Sequence, residues 1–259
     1  MGADTKTSLL HRQIADGLSI EVHETDGLRW LDFGDGGIQS IIAPAQPERL
    51  VSPHNQAILA GLLFVPTPRN ILLLGTGGGA LARFFAHHVP GCKGVAVERS
   101  AAVIHIARQF FDFPDLASRW RLHLGDARHF VEHTPGRYDL VILDIAQGQH
   151  TPAWVTDSNF LSHCHQRLAH TAVFVVNLIP HHDDEFAQQL GRLRQAFPDA
   201  TACLSVPEHH NVLVFGFQDP FTVEEAEARL PALSRQWPVP FAEAFQRLRE
   251  QNPPGSGIF

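Results

Sequence analysis

The sequence predicts an α/β fold built on a mainly parallel seven-stranded sheet, with an antiparallel last strand and a small β-rich unit in front. Three observations predict it. Apolar runs of strand length alternate with helical patterns over residues 69–218. A glycine loop, Gly75-Thr76-Gly77-Gly78-Gly79, directly follows the first of those runs. The last two runs are joined by a short link, Pro207–His210, which reads as a hairpin. Continuously apolar strands alternating with helices belong to a parallel sheet covered on both faces.

The elements follow in order. Residues 1–65 read as a small β-rich domain ending in a helix. Leu18–Glu24 alternates weakly, and Leu28–Phe33 and Ile38–Ile42 flank the turn signal Gly34-Asp35-Gly36-Gly37. Pro53–Phe64 reads as a helix, with Ser52 as N-cap and Pro53 at its first position. Residues 66–218 read as a Rossmann-like nucleoside-binding domain. Its strands are Asn70–Leu74, Gly94–Glu98, Arg121–Leu124, Tyr138–Asp144, Ala172–Leu178, Ala202–Val206 and Asn211–Phe217. Its helices are Gly79–His88, Ala101–Phe111, Asp126–His133, Asp157–Ala169 and His182–Phe197. Residues 219–259 read as a C-terminal helical tail, acidic and rich in proline (Pro231, Pro238, Pro240, Pro253, Pro254), either peripheral or covering an interface.

Composition narrows the function. The 259 residues are 44% hydrophobic and 18% charged, which fits a globular chain and excludes wholesale disorder. A formal charge of −7 gives no support to a nucleic-acid partner. No apolar run approaches the roughly 20 residues that span a bilayer, so no membrane partner is expected. Met1–Ile20 lacks the order of a signal peptide, and Gly2 is followed by Lys6 where a myristoylation site needs Ser or Thr. Cys92, Cys164 and Cys203 are too far apart for a zinc set or a disulfide framework. These features point to a reducing, cytoplasmic setting and to no metal.

The glycine loop carries the main chemical signal. Glycines there let the backbone turn tightly and approach a bound nucleoside or phosphate, although any crossover can use them. Glu98 ends the second strand about 20 residues later, where a carboxylate can accept hydrogen bonds from ribose hydroxyls. Asp126, in Gly125-Asp126-Ala127, is either a helix N-cap or an acceptor for an adenine amino group. Asp144 ends the fourth strand, where a carboxylate points into the crevice or orients a loop. Four such features at successive strand ends describe a nucleoside site. A P-loop is excluded because the loop lacks the following Lys-Ser/Thr. A nicotinamide site fits less well than S-adenosylmethionine, because the glycine spacing departs from GxGxxG.

At this point the sequence resembles the spermidine synthase (polyamine aminopropyltransferase) family over residues 27–218. Gly36-Gly37-Ile38-Gln39 is similar to its Gly-x-Ile-Gln segment, Ile71–Gly79 to its glycine loop, and Val97-Glu98 to its ribose-binding strand end. Gly125-Asp126-Ala127 is similar to its adenine turn, and Tyr138–Asp144 to its fourth strand. The resemblance implies an S-adenosylmethionine-methyltransferase-like Rossmann fold. It implies S-adenosylmethionine or its decarboxylated form as donor, and a small-molecule acceptor that the sequence does not identify. It implies donor contacts from Gln39, Asn55, Gly75, Gly77, Gly79, Glu98, Asp126, Ala127 and Asp144. Homodimerisation is the family's habit.

The chain departs from that family in the amine half. Gly78 stands where the loop carboxylate belongs, and Gln147 where a second carboxylate follows the fourth strand. His54-Asn55 replaces Tyr-Gln, and Glu208-His209 lies near the usual Thr-Tyr. Glutamine cannot serve as a base at neutral pH. The catalytic candidates are therefore Asp144, Gln147, His54 and His209, the two histidines being general bases or ordinary surface groups. His181-His182 reads as the start of an acidic helix turn or as a proton-transfer or metal cluster. The loop after Asp144, with Gln147, Gln149, His150 and Trp154, reads as a lid or a plain connection. Three readings stay open: an alkyl (aminopropyl or methyl) transferase, a true aminopropyltransferase with an altered pocket, and a non-catalytic nucleoside-binding regulator.

Overall fold

The computed structural model describes residues 7–114, 119–198, 201–219 and 221–253. Met1, Gly2, Lys6 and Pro254, read above, lie outside the described residues.

An antiparallel sheet comes first, in the order β1 (Ser8–Ala15), β2 (Leu18–Thr25), β3 (Leu28–Asp32), β4 (Ile38–Ile42). Strand β1 is an addition to the sequence reading. Most of its residues are exposed and SLLHRQIA lacks an apolar alternation; pairing with β2 holds it, together with the His11 ring against Phe110 and Ala15 on the small core. Ile20, Val22, Leu31 and Ile42 supply the buried face and pack on α3 (Ala101–Phe110) through Val103 and Ile106. The turn between β1 and β2 is fastened as well: Ser100 Oγ, at the N-cap of α3, donates to Asp16 Oδ2 at 2.6 Å.

Helix α1 (Pro53–Ile58) is shorter than the sequence reading and tightens into a 3-10 turn over Leu59–Leu63. The run is buried on every side, so it lacks the amphipathic period that marks helix ends. A Cβ on Gly61 would lie 3.1 Å from Val175, which shows how closely this turn is pressed onto the main sheet.

That sheet has seven strands: β5 (Asn70–Leu74), β6 (Lys93–Glu98), β7 (Trp120–Leu124), β8 (Tyr138–Leu143), β9 (Leu168–Leu178), β10 (Thr201–Ser205) and β11 (Val212–Phe217). Their spatial order is β10-β11-β9-β8-β5-β6-β7. Strands β5 to β9 pair parallel, and β11 runs antiparallel to both β9 and β10, as the terminal hairpin predicted. The helices α2 (Ala80–His88), α3, α4 (Ala127–His133), α5 (Ser158–Gln166) and α6 (Asp183–Ala196) cover its faces. Strand β9 starts earlier than its apolar run, because Thr171 at φ 58° and a register shift carry it past a polar stretch.

The C-terminal segment is not peripheral. Helices α7 (Val223–Gln236) and α8 (Phe241–Gln251) bury Leu233, Trp237, Phe241, Phe245 and Leu248 in the same cluster as Leu62 and Leu63. Helix α7 opens with a Thr222–Glu225 capping box and tolerates Pro231 in its interior. The prolines read as a tail signal thus bound and interrupt helices that belong to the core. No helix of the described residues is long and apolar enough to cross a membrane. Phe241→Ala should lower unfolding free energy by about 3–5 kcal/mol in a urea titration; a change near zero would mean that α8 is dispensable.

Candidate functional site

The five parallel strands deliver their carboxyl ends to one edge of the sheet, and a cavity of about 970 Å³ opens there. Strand β5 has β6 on one side and β8 on the other, so its neighbours' connections diverge and leave a crevice. The glycine loop forms the floor. Gly75 has φ +89°, and a Cβ there would run into the Asp144 carbonyl oxygen, so only glycine fits. Gly79, at φ +75°, is the N-cap of α2 and packs against Phe113.

Glu98 is the last residue of β6 and lines the cavity. Its Oε2 accepts from the Thr76 N–H at 3.3 Å and its Oε1 from the Ser100 N–H at 3.0 Å. Each carboxylate oxygen has a second lone pair for a ligand hydroxyl. Asp126 follows β7 and caps α4, with Oδ1 accepting from the Arg128 and His129 N–H groups at 2.8 and 3.3 Å. Its Oδ2 accepts from Arg128 Nη2 at 3.0 Å. These bonds from Arg128 hold the Asp126 carboxyl below the ordinary carboxylate range. The cap reading of Asp126 is thus realised, and one lone pair of Oδ2 remains for a base. Arg128 also lies over the Trp154 ring, 5.0 Å from its centroid, so α4 meets the loop after β8 at the rim.

The other half of the cavity is lined differently. Asp144 follows β8, and its Oδ1 accepts from Asn177 Nδ2 at 2.9 Å. Asn177 Oδ1 in turn accepts from Asn211 Nδ2 at 2.9 Å. The ends of β8, β9 and β11 therefore share one carboxylate–amide–amide chain. Gln147 lines the cavity from an exposed turn whose N–H donates to the His150 carbonyl at 2.9 Å. His54 and Asn55 enter from α1, where His54 Nδ1 lies 2.7 Å from Ser52 Oγ. His209 sits in the β10–β11 turn with Nδ1 2.8 Å from the Pro207 carbonyl. A carbonyl can only accept, so Nδ1 is the donor, which leaves Nε2 as the ring nitrogen open to a ligand.

The residues expected from sequence to contact the donor or to act as catalysts, including Gln39, Gly77 and Ala127, all line this cavity, whereas His150 in the loop after β8 does not. Nor does Gly78. A Cβ there would lie 2.9 Å from the Phe111 ring and 3.0 Å from Ser40 Cβ, so its α-carbon faces packed side chains. His181 lines the cavity with its ring 5.4 Å from that of His150, whereas His182 caps α6 and accepts from the Glu185 N–H. Among the described residues, one grouping brings three metal-ligating side chains together: His129, Glu132 and His133, exposed on α4. Sequence reasoning missed Asn177, Asn211, Ser40, Asp16 and Arg128. Asn177 had a signal, since it interrupts the apolar run Ala172–Leu178; Arg128 had none, because only the folded rim gives it partners.

A family model for the spermine/spermidine synthase domain matches residues 55–217, more than half of the chain. The chain belongs to the spermine/spermidine synthase family. Within this family, a polyamine aminopropyltransferase of Chromobacterium violaceum is 29% identical over 241 residues, covering 92% of each chain. The fold is also that of a probable spermidine synthase from Corynebacterium glutamicum, with a TM-score of 0.75, 24% identity, and coverage of 93% of this chain and 94% of that one. Human methyltransferase-like protein 13, solved in complex with SAH, matches with a TM-score of 0.64 and 21% identity, over 76% of this chain and 94% of that one.

Two substitutions separate the roles of Asp126. Asp126→Asn keeps a good N-cap, so it should change stability little, whereas Asp126→Ala should cost about 0.5–2 kcal/mol in thermal melts. Because the folded pKa is depressed, that contribution is present at neutral pH and fades only as pH falls below about 3.9.

Proposed function

We propose that this protein is an alkyl transferase that binds S-adenosylmethionine or its decarboxylated form and passes an aminopropyl or methyl group to a small-molecule acceptor. The observation that carries this reading is the gathering of the glycine loop, Glu98, Asp126 and Asp144 around one cavity at the switch point of the sheet. On this reading Glu98 holds the ribose, Asp126 and Ala127 meet the base, and Gly75, Gly77 and Gly79 let the backbone approach the sulfonium region. Gln39 and Asn55 close the donor from the β4 and α1 side.

The chemistry asks little of the protein. A sulfonium is already a good leaving group, so attack on the adjacent carbon needs an aligned, neutral nucleophile and a place for its proton. Asp144, oriented by Asn177, is the carboxylate placed to face the acceptor. Gln147 can hold a hydrogen bond but takes no proton. His209, with Nε2 free, and His54 are the bases within the cavity wall. A diamine would find no carboxylate at Gln147 or in the glycine loop, and because Gln147 lies on an exposed turn the missing charge there is worth about a tenfold change in affinity. The acceptor is therefore not a simple diamine.

Calorimetry with S-adenosylmethionine, its decarboxylated form and methylthioadenosine tests these statements together. Glu98→Ala should weaken all three by roughly 10–100-fold, the worth of one or two charge-assisted hydrogen bonds; unchanged affinity would reject the ribose assignment. Gln147→Asp should improve putrescine binding by about tenfold, and no gain would contradict the account of the missing counter-charge. Donor binding without turnover across an amine panel would move the protein to the regulatory reading.

A further inference from the structure

Among the described residues, Arg83 is the most deeply buried cation next to the cavity. It lies on α2 and is 5% exposed. No carboxylate pairs with its guanidinium among the described residues. Instead Nη1 donates to the carbonyls of Gly78 and Phe111, and Nε donates to the Pro47 carbonyl at 2.9 Å. Burial pulls its pKa down to about 10, with the nearby Asp112 opposing the fall, so it remains charged at neutral pH. A desolvated cation is costly to keep, and three carbonyl dipoles are what offset the cost here.

Those carbonyls belong to three segments that meet at the cavity. Gly78 is in the glycine loop. Phe111 leads into Phe113, which packs on Gly79. Pro47 precedes the stretch that delivers Ser52 and His54 to the acceptor side. The Gly78 peptide groups are held from both sides, because the Gly78 N–H donates to Ser40 Oγ at 2.7 Å. We propose that Arg83 and Ser40 form a clamp on Gly78, and that Arg83 is a positioning residue that sets the glycine loop for the adenosyl donor and ties it to the acceptor wall. A planar fork reaches carbonyls in several directions at once, which a lysine ammonium cannot match.

This inference rests on the adenosyl-donor reading, so the test has one arm that needs no ligand. Hydrogen exchange of the loop amides in the ligand-free protein should quicken by about tenfold or more in Arg83→Lys and in Ser40→Ala, as expected for loss of a local hydrogen bond. In a control with a similar fall in Tm, Phe245→Leu in α8, those amides should exchange as in the unaltered protein. Calorimetry with methylthioadenosine should then show affinity about tenfold weaker in Arg83→Lys, unchanged in Phe245→Leu, and no additional full loss in the Ser40→Ala/Arg83→Lys double variant. Loop exchange equal in Arg83→Lys and the control would overturn the clamp, as would unaltered methylthioadenosine affinity in Arg83→Lys. An unaltered protein that binds no adenosyl ligand would instead sink the donor reading, and the exchange arm would still decide whether Arg83 holds the loop.

Discussion

The close approach of Gly75 to the Asp144 carbonyl is the constraint on which the site depends. At that point the chain leaves β5 with its N–H bonded to Val97 and the Leu74 carbonyl accepting from Asp144. Three strand ends are therefore locked together while their continuations part. Any side chain at Gly75 would have to push β8 away from β5, and the crevice, the loop and the seat of Asp144 would move with it.

From that junction the cavity divides by chemistry. The side lined by the glycine loop, Glu98 and Asp126 is built from backbone and carboxylate groups whose positions are fixed by the loop and by helix caps. The other side holds the Asp144 carboxylate fixed by an amide, the Glu208 carboxylate, and imidazoles contributed by α1, the β10–β11 turn and the segment before α6. Carboxylates suit a dication; imidazoles and amides suit a nucleophile that arrives with less charge and gives up a proton near neutrality. The two halves are joined through the protein interior, by the segment that runs from Pro47 to α1, and across the rim by Arg128 over Trp154.

The sheet and the glycine-loop side of the cavity were legible in the sequence because each rests on local signals. Continuous apolar runs mark buried parallel strands, and a glycine loop followed at the right interval by Glu98 marks the crossover. What escaped reading depends on long-range partners. Strand β1 is exposed and carries no alternation. The fully buried turn after α1 has no polar face to give it a period. Helix α8 hides behind prolines that look like loop punctuation. Asn177 and Asn211 stand 34 residues apart and acquire meaning only once β9 and β11 pair. Gly78 misled in the opposite sense: its alignment with a carboxylate position suggested an empty seat in the pocket, whereas Phe111 and Ser40 already fill the space beside it.

That filled space makes change at the two departed positions unequal. Gln147 lies on an exposed turn, where one codon could alter the pocket's charge without disturbing anything beneath it. Gly78 is walled in, so a side chain there demands that Phe111 and Ser40 shrink first, and each of those steps alone loosens packing for no gain. A mutational walk that adds carboxylates at these two positions thus has one open door and one that acts as a ratchet.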